Sequence, residues 1–206
     1  MKILLIGSTG VIGSRIAAEA RNRGHEVTGA TRSGTDGVVL DAADEAAVAE
    51  AAKGQDAVVV AVTPPRDGTP PAPHILAVGR ALLGGVRAAG SGRLVIVGGA
   101  GSLEVAPGLR LVDAPDFPEI YYAEATAHAD LLDLIRADAD GVDWTYISPA
   151  AEIAPGERTG HYRRGGDELI VDADGNSRIS AEDFALALVD ELETGQAHRG
   201  RITFAY

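Results

Sequence analysis

The chain has no cysteine, one methionine, one tryptophan and only two lysines. Without thiols there are no disulfides, no thiolate metal sites and no cysteine nucleophile. Aromatic residues make up just 4% of the chain, and no apolar run is long enough to cross a bilayer. Positive charge is also scarce: 18 basic residues stand against 30 acidic ones, a formal charge of −12. Such a field repels extended polyanions and excludes a nucleic-acid groove or an anionic membrane surface as partner. A single small phosphate can still be held by local backbone dipoles. The two lysines are Lys2 and Lys53, so no ammonium is available beyond residue 53. Met1-Lys2 leads straight into a strand with no long apolar leader, from which a soluble, cytoplasmic protein is expected. No cluster of residues suggests a metal site.

What is present is 206 residues, 46% of them apolar, enough for one sizeable core. Short branched-apolar runs alternate with alanine-rich helical stretches. Lys2–Ile6, His25–Thr31, Val38–Leu40, Ala57–Val62, Arg93–Val97 and Val142–Ile147 read as strands. Val11–Arg23, Asp44–Lys53, His74–Ala89 and Tyr121–Asp138 read as the helices between them. Parallel strands need such crossovers, so the expected fold is α/β, a doubly wound parallel sheet of the Rossmann type. Thr63–Pro73, with five prolines, reads as a stiff loop over the carboxyl edge of the sheet. After Pro149 the rhythm breaks: Glu168–Val171 and Arg178–Ile179 read as short strands, Ala181–Glu193 as a helix and Arg201–Phe204 as a last strand. The whole chain is expected to be one domain, 1–149 forming the core and 150–206 a small lobe on the substrate side with a closing helix and strand.

The strongest local signal is Gly7-Ser8-Thr9-Gly10-Val11-Ile12-Gly13, set between the first strand and its helix. Glycines there permit a sharp turn, bring backbone N–H groups close to a pyrophosphate and let the helix pack on the strand. The positive end of the helix dipole adds to this, so an acidic protein can bind a dinucleotide. At the end of the second strand, where an acid would hold a ribose 2′-hydroxyl, the chain instead has Ala30-Thr31-Arg32-Ser33. Arg32 suits a 2′-phosphate, and NADP(H) is the expected cofactor. Asp36 is near enough in sequence to keep NAD(H) open.

The G-x-x-G-x-x-G spacing resembles the extended and atypical short-chain dehydrogenase/reductases. Residues 7–33, Asp41-Ala42, Asp143-Trp144-Thr145-Tyr146 and residues 179–192 extend the likeness over essentially the whole chain. The nearest likeness is to the atypical NAD(P)H-binding proteins described as NADH-flavin reductase-like, biliverdin reductase B-like or NmrA-like. The resemblance implies that Asp41 and Ala42 border the adenine, and that Ala61, Val62 and Thr63 border the ribose and diphosphate. It places Ser148 and Pro149 near the nicotinamide. Asp41 could also serve as a helix N-cap.

Members of the broader family use a Tyr-x-x-x-Lys pair and a serine after the fifth strand. Here that pattern puts Tyr122 at the tyrosine, Thr126 at the lysine and Asp130 at a following acidic position. Glycines of Gly98-Gly99-Ala100-Gly101 stand at the serine place, and Ser102 could substitute only by reaching back. A tyrosine ordinarily titrates near about 10 and is a poor base at neutral pH without its cation. Alcohol oxidation and ordinary ketone reduction are therefore disfavoured. Hydride transfer to an acceptor that takes its proton from water remains, and the glycine run is expected to leave room for a broad ring.

His128 is expected to be a partly buried structural histidine, with Glu124 near enough to pair with it, and Trp144 a core residue. His74 reads equally as a helix-start residue or a ligand, and His161–Arg164 as a loop that could touch substrate. The expected partner is a small conjugated molecule such as a flavin or quinone, with the protein a monomer or homodimer. A non-catalytic NADP(H) sensor or scaffold fits the same residues. A cofactor-bound isomerase or epimerase is disfavoured because it too needs an acid–base pair.

Overall fold

The computed structural model describes residues 1–206. Strand β1 (Lys2–Ile6) leads into helix α1 (Val11–Asn22), and then come β2 (Glu26–Thr31) and β3 (Gly37–Val39). Helix α2 (Glu45–Ala52) carries the chain to β4 (Ala57–Val60), and α3 (Pro71–Ala89) to β5 (Arg93–Val97). A hairpin of β6 (Glu104–Ala106) and β7 (Leu109–Arg110) precedes the long helix α4 (Glu119–Asp138) and β8 (Trp144–Ser148). The last quarter holds β9 (Glu152–Ala154), β10 (Arg163–Gly165), β11 (Arg178–Ser180), α5 (Ala181–Thr194) and β12 (Gly200–Ala205).

The main sheet has eight strands in the order β10-β12-β8-β5-β4-β1-β2-β3, all parallel except β10, which runs antiparallel to β12. Its central strands are apolar on both faces. Leu4, Ile6, Val58, Val60, Leu94 and Ile96 pack beneath α2, α3 and α4, while Ile3, Leu5, Val59 and Val95 pack beneath α1 and α5. The helices start where polar side chains can close them. Asp44 accepts from the Ala47 N–H and Ser180 from the Asp183 N–H, both at 3.0 Å. Chain order reverses between β1 and β4, the switch point at which open α/β sheets leave a crevice.

The structure corrects several expectations. Residues 168–171 are not a strand; Glu168 makes only an isolated bridge to Glu104. The 150–206 segment adds β10 and β12 to the same sheet and lays α5 against α1. His161–Arg164 lies at the far sheet edge. There Tyr162 donates to Asp190 at 2.6 Å and stacks edge-on against Phe204, and Arg164 reaches Glu191. Helix α3 starts at Pro71 rather than His74, because proline lacks the N–H that the first turn leaves unbonded anyway.

Candidate functional site

A cleft of about 370 Å³ opens at the β1/β4 switch point. Its walls are the ends of four strands and the first turns that follow them: Gly7, Thr9 and Gly10 after β1; Arg32 and Ser33 after β2; Asp41 and Ala42 after β3; Ala61, Val62 and Thr63 after β4. His74 of α3 joins them.

The three glycines of the first turn have separate reasons. Gly7 has φ +87°, and a Cβ there would sit 2.3 Å from the Ala61 carbonyl oxygen. A Cβ on Gly13 would lie 2.1 Å from the Gly7 carbonyl oxygen, so helix and turn pack only because it is absent. Gly10 differs: its nearest neighbour would be the Gly7 oxygen, at an ordinary 3.5 Å. Nothing inside the protein requires glycine there. It lines the cleft as the N-cap of α1, with no side chain closing the helix. The free N–H groups and positive helix end thus face outward across a surface kept clear of side chains. This is the arrangement a pyrophosphate needs, and the residues fit a dinucleotide.

Of the residues expected to hold the cofactor, Ser8, Val11, Ile12 and Gly13 do not line this cleft, and neither do Ser148 and Pro149. The Ser8 and Ser148 hydroxyls are buried without a partner. Asp41 is not a helix cap: its carboxylate accepts from the Ala43 N–H at 3.0 Å in a turn, and Asp44 caps α2. Asp36 is turned away, 3.3 Å from the Arg21 guanidinium. Arg32 is exposed at the rim, with no carboxylate or carbonyl partner. Most of the other arginines are engaged, Arg93 with Glu191 at 2.7 Å and Arg201 with Asp167 among them.

The residues at the family's catalytic positions lie outside the cleft. Tyr122 is exposed, with no hydrogen-bond partner. The hydroxyls of Ser102 and Thr126 are sealed and unpartnered. The glycine run after β5 does not make room for a substrate ring. A Cβ on Gly98 would fall 2.0 Å from the Tyr146 ring, one on Gly99 3.0 Å from the His128 Cβ, and one on Gly101 2.9 Å from the Ala125 Cβ. The protein's own side chains fill that space. The Tyr146 hydroxyl donates to the His128 carbonyl at 2.8 Å and accepts from the Gly99 N–H at 3.3 Å, pinning α4 against β5.

His128 is buried with Nδ1 unpartnered, and burial pushes its pKa below the usual histidine value, opposed only by Glu124. Glu124 is not its hydrogen-bond partner; it pairs with Arg66 of the proline-rich loop at 3.2 Å. Trp144 is a core residue. Sequence reasoning left His74 undecided and did not single out Leu40 as a wall of the cleft. Their signal was position, one at the end of a strand and the other in the first turn of a helix that follows one.

Residues 7–194 match a family model described as NAD(P)H-binding. Three solved structures are similar over the full chain. A protein of Burkholderia pseudomallei, provisionally described as exported, is 51% identical with a TM-score of 0.91, each chain covered completely. One of Bacteroides thetaiotaomicron, provisionally named an epimerase, is 41% identical with a TM-score of 0.89, covering all of this chain and 96% of that one. One of Streptococcus pneumoniae, provisionally named an NADH-flavin reductase, is 34% identical with a TM-score of 0.84, covering all of this chain and 99% of that one. No helix of the protein is long and apolar enough to cross a membrane.

Proposed function

The chain belongs to the NAD(P)H-binding family, and from that premise we propose that it is an NADPH-dependent reductase of a flat, conjugated acceptor such as a flavin or quinone. Its place nearer the NADH-flavin reductase, biliverdin reductase B or NmrA-like branches is part of the same proposal. The observation that carries the reading is the pairing of an open Gly10 at the mouth of α1 with a partnerless Arg32 at the rim of the same cleft. The first suits a pyrophosphate and the second a 2′-phosphate.

When bound, the reduced nicotinamide supplies the hydride. The protein's share is to hold and orient. Gly7, Thr9 and Gly10 would hold the diphosphate, and Arg32 would select the phosphorylated ribose. The proline-rich loop that follows Thr63 is tied to α4, the helix of Tyr122, through Arg66 and Glu124. Ile120, Tyr121 and Tyr122 begin α4 with exposed apolar and aromatic surface on which a flat ring can stack. The Tyr122 hydroxyl has no hydrogen-bond partner, and the chain has no lysine beyond Lys53 to pair with it, so the acceptor would take its proton from water. This limits the chemistry to acceptors whose reduced form is stable before protonation.

Purified protein is mixed with NADPH and, separately, riboflavin, FMN or a quinone, and the loss of reduced-nicotinamide absorbance is followed. Turnover with at least one acceptor, faster with NADPH than NADH, is expected. Tight NADPH binding with no turnover on any of them favours the non-catalytic sensor instead. The epimerase name of one relative calls for an acid–base pair, and the Tyr122 hydroxyl here has no hydrogen-bond partner to form one.

A further inference from the structure

The cleft wall is not uniform. Between its phosphate-facing turn and the rim at Arg32 it is apolar, formed by Ile6, Leu40, Ala42 and Val62. Such a wall suits the flat face of a base. His74 borders it from the first turn of α3. That residue is half-buried and makes no hydrogen bond, and it neither caps the helix nor joins the hydrophobic core beneath α3. The mouth of α3 is also unlike that of α1. Pro71 and Pro73 remove two of the first three N–H groups, so the backbone there offers little to an anion. What α3 presents to the cleft is an imidazole ring, and bases stack well on such rings.

We propose that His74 stacks on the adenine of the bound nucleotide and sets the affinity for the adenosine half of NADPH and NADH alike. This rests on the nucleotide-binding reading, but not on the reductase activity. It divides the work of the cleft: Arg32 distinguishes the two nucleotides, whereas His74 serves both.

The test is calorimetric titration with ADP-ribose, NADH and NADPH, with reduced nicotinamide mononucleotide as a probe that lacks adenosine. His74→Ala is expected to weaken the three adenosine ligands by a common factor, about five- to fifty-fold, and to leave the mononucleotide unchanged. His74→Phe, which keeps a flat ring, should stay within about three-fold of the parent, and His74→Asn should resemble the alanine variant. Losses confined to NADPH would assign His74 to the 2′-phosphate and overturn the proposal. So would rescue by asparagine but not phenylalanine, or an alanine variant that binds as the parent does. Because ADP-ribose carries no hydride, failure of the reductase reading leaves this result intact. Failure of His74→Ala to weaken ADP-ribose leaves the reductase reading intact.

Discussion

Two glycine-rich turns lie on the same edge of the sheet, and they use their missing side chains in opposite ways. After β1, Gly7 and Gly13 are demanded by close backbone contacts, while Gly10 is left open towards the cleft. After β5, the spaces at Gly98, Gly99 and Gly101 are taken by Tyr146, His128 and Ala125. The first turn is shaped for something outside the protein, and the second for the protein itself. A glycine-rich sequence alone does not say which. The difference is whether another element of the chain arrives to occupy the gap.

The sharpest way to break this comparison is to fill both turns. Gly10→Val should abolish NADPH binding, a loss beyond about a hundred-fold, because a branched side chain would stand where the pyrophosphate meets the N–H groups. The fold should survive, since a Cβ there meets nothing closer than 3.5 Å. Calorimetry and a thermal melt check both halves. Arg32→Ala tests the rim of the same cleft. A charge-assisted contact contributes about 1.5–3 kcal/mol, so NADPH binding should weaken by about ten- to a hundred-fold and NADH binding hardly change. Equal losses for both nucleotides would remove Arg32 as the discriminating residue. Gly98→Ala, in the second turn, should do the reverse of Gly10→Val. It is expected to cost about 1–3 kcal/mol of stability by crowding Tyr146 in a packed core, while the folded protein keeps its NADPH affinity. Denaturant titration and calorimetry separate these effects.

The comparison also explains what could be read beforehand. The nucleotide half was legible because each wall is local in sequence: a turn that follows a buried strand, at Gly7, Arg32, Asp41 and Ala61. Strand periodicity locates those turns without knowledge of the packing. The other half depends on how α4 seats against β5. Gly98 and Tyr146 are distant in sequence, and only the sheet register that sets Val97 beside Ile147 brings their strands together. Strands such as β7, with two residues, and β9, with three, are too short to show a period. Asp41 misled for a related reason: an aspartate before a helix suits both an Asx turn and an N-cap, and Asp44, three residues on, takes the cap.

The central claim is that the nucleotide half is complete while the reaction half holds no activated acid. Tyr122→Phe tests it most directly, by measuring NADPH affinity and reductase turnover on the same preparation. General acid catalysis by a positioned group contributes about 10²–10⁴-fold, and an unassisted tyrosine should supply little of it. The account predicts unchanged NADPH affinity and a turnover lowered by less than about ten-fold. A loss of about a thousand-fold at unchanged affinity would mean that another group activates Tyr122, and would contradict the solvent-proton mechanism.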